Sequence, residues 1–212
     1  MDVLVAGGHG QVALHLLRLL AERGHHARGL IRNADHAPDL ERVGAVPVLC
    51  DLETDEAVPR LGAAEAIVFA AGAGPGSGPE RKRTVDYGGA VKLVEAAEEL
   101  GVRRYLMVSS MGAGDPASAP EAMRVYQQAK HDADEALAAS GLDWTIVRPG
   151  GLTDVPGSGR VAIAERLGRS GSVPREDVAL VLLECLTTPA TVGRTFELLE
   201  GDVPVREALA AL

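Results

Sequence analysis

The chain has 212 residues, 46% of them hydrophobic, with 21 Lys and Arg against 30 Asp and Glu, a formal charge of −9. That is enough apolar material for the core of one α/β domain, while the negative balance repels phosphate backbones and argues against nucleic acid as a partner. No apolar run approaches the roughly 18 residues that cross a bilayer, so no membrane partner is expected.

The first apolar run, residues 3–6, follows directly on Met1-Asp2. It leaves no room for a charged region, an apolar region and a cleavage site, which predicts a cytoplasmic protein. Further short runs rich in Val and Ile lie at 27–31, 46–50, 66–70, 104–108 and 144–147, with amphipathic segments in most of the intervals. This βαβα order, in runs without clear in/out alternation, predicts a parallel sheet with helices on both faces. In the first helix Val12, Leu16, Leu19 and Leu20 repeat at helical spacing, and Gly24 supplies a C-cap. A second helix is expected over 83–100, stopped by Gly101, and a third over 121–139, stopped by Gly141. After Gly151 come a Gly-rich loop to Gly159, a short strand at 160–164, a helix at 174–186, a strand at 195–199 and a terminal helix. Residues 1–151 thus read as the core of a single domain and 152–212 as a small substrate-side cap. Cys50 closes a strand and Cys185 sits in a helical apolar run; with no C-x-x-C pair, both read as buried hydrophobes and no metal site is expected.

Gly7, Gly8, His9, Gly10, Gln11, Val12 and Ala13 join the first strand to the first helix, the context in which G-x-x-G-x-x-A has meaning. The chain must turn tightly, let backbone approach a pyrophosphate without an intervening Cβ, and offer helix N-terminal amides to it. His9 is either a ligand there or exposed filler. An NAD-preferring site usually has an acid about 20 residues downstream to accept from the ribose 2′-hydroxyl. Here the second strand is followed by Arg32-Asn33, and Arg32 can fork onto a 2′-phosphate, so NADP is expected over NAD. Arg28, inside the strand, is the lesser candidate, and an ordinary solvated arginine is the alternative. Asp51 and Leu52 end the third strand and Ala70, Ala71 and Gly72 the fourth, both at the edge where open α/β sheets bind ligands.

Ser109 and Ser110 end the fifth strand. Tyr126 and Lys130 are four apart in a helical segment and so share a face. An ammonium beside a phenol lowers its pKa, which would let Tyr126 move a proton while a serine hydroxyl, Ser110, polarises the reacting oxygen and Lys130 also holds the nicotinamide ribose. Alternatively, Tyr126 packs its ring and Lys130 pairs with Asp134.

Together, Val5 to Ala13, Arg32-Asn33, Asp51-Leu52, Val108-Ser109-Ser110, Tyr126-Gln127-Gln128-Ala129-Lys130 and Thr145 to Leu152 resemble the short-chain dehydrogenase/reductase superfamily. The resemblance is to its atypical, extended-like branch of small NAD(P)H-binding proteins, including the flavin reductase/biliverdin reductase B type. It implies a doubly wound, mostly parallel Rossmann sheet with helices on both faces and a small C-terminal cap. It also implies that Pro149, Gly150 and Gly151 lie along the nicotinamide. The segment after Gly151 is shorter than the one with which extended members grip a nucleotide sugar, which opposes epimerase or dehydratase activity. The fourth-strand end lacks the asparagines of typical members. Some relatives lose the Tyr/Lys pair or act as redox-sensing regulators. Two functions follow: an NADPH-dependent reductase of a small carbonyl, quinone or flavin-type acceptor, or an NADP(H)-binding sensor, with a sugar-nucleotide epimerase a weaker third. The acceptor site is expected in the loops 73–79, 111–120 and 153–159, with Met111 and Val155 as apolar elements and Trp144 in the core. The partner is a small molecule, and the chain works as a monomer or homodimer.

Overall fold

The computed structural model describes residues 1–74 and 76–212, leaving aside the side chains of Val58, Leu61 and Pro79. In chain order the elements are β1 (Asp2–Ala6), α1 (Gln11–Glu22), β2 (His26–Ile31), α2 (Ala37–Arg42), β3 (Val46–Leu49), α3 (Val58–Leu61), β4 (Ala66–Phe69) and α4 (Pro79–Arg81). A π-helical stretch, Lys82–Gly89, runs into α5 (Ala90–Leu100). There follow β5 (Arg104–Val108), α6 (Glu121–Ala138), β6 (Asp143–Pro149), β7 (Gly151–Thr153), β8 (Arg160–Ala164), β9 (Ser172–Pro174), α7 (Arg175–Cys185), β10 (Arg194–Glu200), β11 (Val203–Pro204) and α8 (Val205–Ala210).

Nine strands form one sheet in the order β11-β8-β10-β6-β5-β4-β1-β2-β3. The seven from β10 to β3 are parallel, while at one edge β8 pairs antiparallel with β10 and β11 antiparallel with β8. The chain is a doubly wound, mostly parallel Rossmann-type α/β fold. Neighbouring residues of one strand serve opposite cores: Val3 and Val5 pack with Leu16, Leu17 and Leu20 of α1 and Val178 and Leu182 of α7. Leu4 and Ala6 pack with Leu93 and Ala97 of α5 and Leu137 of α6. Covering both faces is what makes every residue of such a strand apolar.

Residues 152–212, expected as a small substrate-side cap, also supply β10, β8 and β11, which extend the main sheet from the edge of β6, and α7, which packs on α1. An uncovered edge strand leaves a row of unpaired backbone groups, and β10 closes that row. The helix expected over 83–100 is α-helical only from Ala90, since Lys82–Gly89 takes the wider π form. Cys50 and Cys185 are free and buried, and burial raises both thiol pKa values. Among the described residues, no helix is long and apolar enough to cross a membrane.

Candidate functional site

Consecutive strands depart in opposite directions from β1 and β4, neighbours in the sheet, and a crevice opens beyond their carboxyl ends. The glycine turn forms one wall. Gly7 has φ +76°, and a Cβ on it would stand 2.6 Å from the Ala71 Cα, so the two strand ends touch only because position 7 is glycine. Gly10 closes the turn, its amide donating to the Gly7 carbonyl at 2.7 Å, and caps α1 without a side-chain hydrogen bond. The first helical bond of α1 runs from the Leu14 amide to the Gly10 carbonyl, so the amides of Gln11, Val12 and Ala13 precede it and face the crevice end of the helix dipole. Val12 contributes only backbone, because its side chain is buried. Gly8 instead seals β1 against β2, with its amide bound to the Leu30 carbonyl at 2.8 Å and room so tight that a Cβ would stand 2.9 Å from the Gly29 Cα.

The resulting cleft of ≈ 370 Å³ is lined by Gly7, His9, Gly10, Arg32, Asp51, Leu52, Ala70, Ala71 and Gly72 among the expected residues. At its outer end, the His9 ring stacks on His36 with centroids 3.7 Å apart and donates through Nε2 to Asp39 Oδ2 at 2.8 Å. His9 is therefore no mere filler. Asn33 does not line the cleft; its side chain accepts from the Asp35 amide at 3.0 Å and caps a short turn. Arg28 is excluded, bound to Asp2 Oδ1 at 2.7 Å near the opposite end of the strands. Asp51 folds the loop after β3, its Oδ1 accepting from the Glu53 amide at 3.0 Å. Sequence reasoning missed His36, Glu53, Arg81 and Val85, which also line the cleft. They come from four loop or helix positions with no common motif.

Tyr126 and Lys130 do not line this cleft; Lys130 meets its wall through the Ala71 carbonyl, in an unexpected electrostatic setting. Lys130 is 4% exposed, with Nζ 3.3 Å from Asp86 Oδ1 and within reach of the carbonyls of Val108 (3.2 Å) and Ala71 (3.4 Å). Its counter-ion is thus Asp86, fully buried on the π-helical stretch, rather than Asp134. The Lys130 contact is an ion pair outside hydrogen-bond alignment, which leaves Asp86 Oδ1 without a hydrogen bond, while Oδ2 accepts from the Ala73 amide at 3.1 Å. Asp134 instead binds Arg148 Nε at 2.9 Å and the Ser109 hydroxyl at 2.8 Å, all through Oδ2. Burial raises the Asp134 carboxyl pKa against the opposing pull of Arg148.

Tyr126 does not have the lowered pKa expected from the Tyr/Lys spacing. Burial first, then the carboxylates of Asp86 and Asp134, push it up to about 12. Lys82 Nζ lies 4.9 Å from the centre of the Tyr126 ring. Ser110 is half-buried and its carbonyl accepts from the Ala113 amide at 3.0 Å.

Pro149, Gly150 and Gly151 lie outside the lining of the first cleft. The Gly150 amide donates to the Leu198 carbonyl and that of Gly151 to the Gly171 carbonyl, so the segment stitches β6 to β10 and β9. A second, polar cleft of ≈ 560 Å³ opens on the far side of Arg148, with Met111, Asp115, Arg166 and Glu197 in its wall. Of the loops expected to line an acceptor site, 111–115 contribute there and 73–74 line the first cleft, while Pro75 lies outside the described residues. The loop 153–159 joins neither. Its amides at Gly157, Ser158 and Gly159 donate to Glu176 and Asp177 of α7, and Val155 points to solvent.

Residues 7–189 match the family of NAD(P)H-binding proteins, and the chain belongs to that family. It is 40% identical over 215 residues to a Bacillus subtilis protein described as an uncharacterized sugar epimerase, YhfK, covering all of both chains. Among solved structures it resembles the oxidoreductase ylbE from Lactococcus lactis, at 28% identity and TM-score 0.88, covering 100% of this chain and 96% of that one. It also resembles ChuY, an anaerobillin reductase from Escherichia coli O157:H7, at 27% identity and TM-score 0.78, covering 96% and 98%.

Proposed function

We propose that this member of the NAD(P)H-binding family is an NADPH-dependent reductase of a small carbonyl, quinone or flavin-type acceptor. One observation carries the reading: the cleft at the switch point ends, at β2, in Arg32 and not in an acid. Arg32 is 56% exposed and its contact to Glu53 spans 4.0 Å, so its fork is free to turn toward a 2′-phosphate. His9 and His36 add imidazole nitrogens beside it. The resemblance to reductases and oxidoreductases among solved structures supports the reaction class.

The chain's own groups fit such a dinucleotide. The unbonded amides opening α1 and the absence of an acid from its first turn suit a pyrophosphate. Lys130, held by Asp86 and two carbonyls, is the ammonium assigned on this reading to a ribose hydroxyl, and the buried Asp86 Oδ1 still lacks a donor. NADPH, when bound, supplies the hydride that adds to the acceptor carbon or flavin nitrogen. The matching proton comes from Tyr126 or, for a flavin-type acceptor, from water. A phenol pushed up to about 12 stays protonated at neutral pH, so Tyr126 holds the proton that the acceptor oxygen needs, as a weak acid. Ser109 already gives its proton to Asp134, so Ser110 is the hydroxyl left to polarise the acceptor oxygen. On this reading the protein works on small molecules in the cytoplasm, as a monomer or homodimer.

A sensor that binds NADP(H) without turnover is the second reading, favoured by how completely Lys130 is committed to Asp86 and backbone. The epimerase description of the Bacillus subtilis relative is not carried over, because the segment after residue 151 is largely spent on extending the sheet. A thermal-shift titration with NADPH and NADH, followed by NADPH oxidation against quinones, flavins and aldehydes, separates the readings. Stronger stabilisation by NADPH, weakened by Arg32→Ser, and turnover of at least one acceptor class are expected. Equal stabilisation by NADH refutes the cofactor preference, and binding without any turnover favours the sensor.

A further inference from the structure

Arg32 does not face the cleft alone. The loop after β3 brings Glu53 between two arginines: its Oε2 lies 2.8 Å from Arg81 and 4.0 Å from Arg32, while its Oε1 accepts from the Thr84 hydroxyl at 2.6 Å. The three charged residues all line the same cleft and arrive from the ends of β2 and β3 and from the start of the helix that carries Asp86. Glu53 is 25% exposed, so its charge is only partly screened by water. The Thr84 hydrogen bond and the two guanidinium groups hold its carboxyl below the usual range, and it remains charged at neutral pH.

We propose that Glu53 is a specificity-determining residue, a resident anion on Arg32 and Arg81 with which the 2′-phosphate of an incoming cofactor must compete. The inference rests on the dinucleotide reading of the cleft and goes beyond the Arg32 assignment in two ways. Arg81 becomes a second guanidinium available to the phosphate. Glu53 becomes a counterweight that narrows the advantage of a 2′-phosphate over a 2′-hydroxyl. A carboxylate and a phosphate dianion sharing two arginines repel each other, whereas a ribose hydroxyl is indifferent to the carboxylate or donates to it. Discrimination at this end of the cleft is then a difference between Arg attraction and Glu53 repulsion, and either side can be changed alone.

The probes are 2′,5′-ADP and 5′-AMP, which differ in the 2′-phosphate, with NADPH and NADH as the full-length pair, all titrated by calorimetry on the intact chain. Glu53→Gln keeps the shape and the Thr84 contact and removes the charge. It is expected to raise the ratio of 2′,5′-ADP to 5′-AMP affinity roughly fivefold at low salt, an exposed-pair effect that shrinks as ionic strength rises. Arg81→Gln is expected to lower the same ratio while 5′-AMP affinity changes little. An unchanged ratio in Glu53→Gln overturns the proposal, as does a gain shared equally by 5′-AMP, which would indicate a general loosening of the cleft. A gain that persists undiminished at high salt overturns it as well. The wild-type NADPH to NADH ratio tests the cofactor preference separately, since the Glu53 effect is a change between variant and wild type whichever cofactor the wild type prefers.

Discussion

Asp86→Asn tests the buried pair beside the cleft most directly. Asp86 is 0% and Lys130 4% exposed, and Asp86 is the only carboxylate with which Lys130 forms an ion pair among the described residues. Neutralising Asp86 leaves a buried ammonium facing carbonyl oxygens and an amide. Removing one partner of a buried pair costs about 3–5 kcal/mol, because the surviving charge has lost its counter-ion but not its desolvation penalty. For a chain of this size that corresponds to a fall in Tm of roughly 6–20 °C, at about 2–4 °C per kcal/mol. The double variant Asp86→Leu with Lys130→Met removes both charges and the unpartnered Oδ1 together, and is expected to recover most of the loss. Thermal unfolding of wild type, Asp86→Leu, Lys130→Met and the double variant gives the coupling energy. A single variant as stable as wild type, or a double variant whose loss equals the sum of the two singles, would refute the view that these charges are a mutually dependent buried pair. NADPH titration of the double variant adds the functional readout: its fold survives, and cofactor affinity falls because no ammonium remains to meet the ribose.

Gly7→Ala is expected to destabilise the chain by about 2–5 kcal/mol, from the left-handed backbone and from a Cβ driven into the Ala71 backbone. Denaturant unfolding reads this, and dinucleotide binding falls with it; a midpoint unchanged from wild type would show that the strand ends separate freely. The Tyr126 phenol, up near 12, is protonated at every pH below that value, so its share of the turnover rate stays level between about pH 6 and pH 9. A pH profile of kcat that falls within this window and is flattened by Tyr126→Phe would contradict the setting that Asp86 and Asp134 create. Ser109→Ala removes the hydroxyl hydrogen bond to buried Asp134 and is expected to cost about 1–3 kcal/mol in chemical denaturation, with no loss expected if Asp134 finds another donor.

Much of the fold was legible because local rules and tertiary demands coincide. The apolar runs at 3–6, 27–31, 66–70 and 104–108 fall on β1, β2, β4 and β5 within a residue or so, since a strand covered on both faces is apolar throughout. The strands β7, β9 and β11 escaped notice, being only two or three residues long and without periodicity. In the site, the glycine turn was readable from spacing because a left-handed Gly7 and an uncapped α1 are local needs. The roles of Lys130 and Tyr126 were not. Their four-residue spacing correctly puts both on α6, but their charges answer to Asp86 from the π-helical stretch and to Asp134, which itself binds Arg148 of β6.

By itself, then, the sequence determined the parallel sheet, the helix that opens on Gly10 and the Arg32 that follows β2, all of which depend on patterns within a few residues of one another. Only the tertiary structure decided which carboxylate neutralises Lys130, which way the Tyr126 pKa moves and that Glu53 stands between Arg32 and Arg81. Those outcomes are electrostatic, and electrostatics is set by distance and burial in space. The chain order keeps Arg32 and Glu53 21 positions apart and Asp86 and Lys130 44 apart, and only the folded sheet brings each pair to within an ion-pair distance.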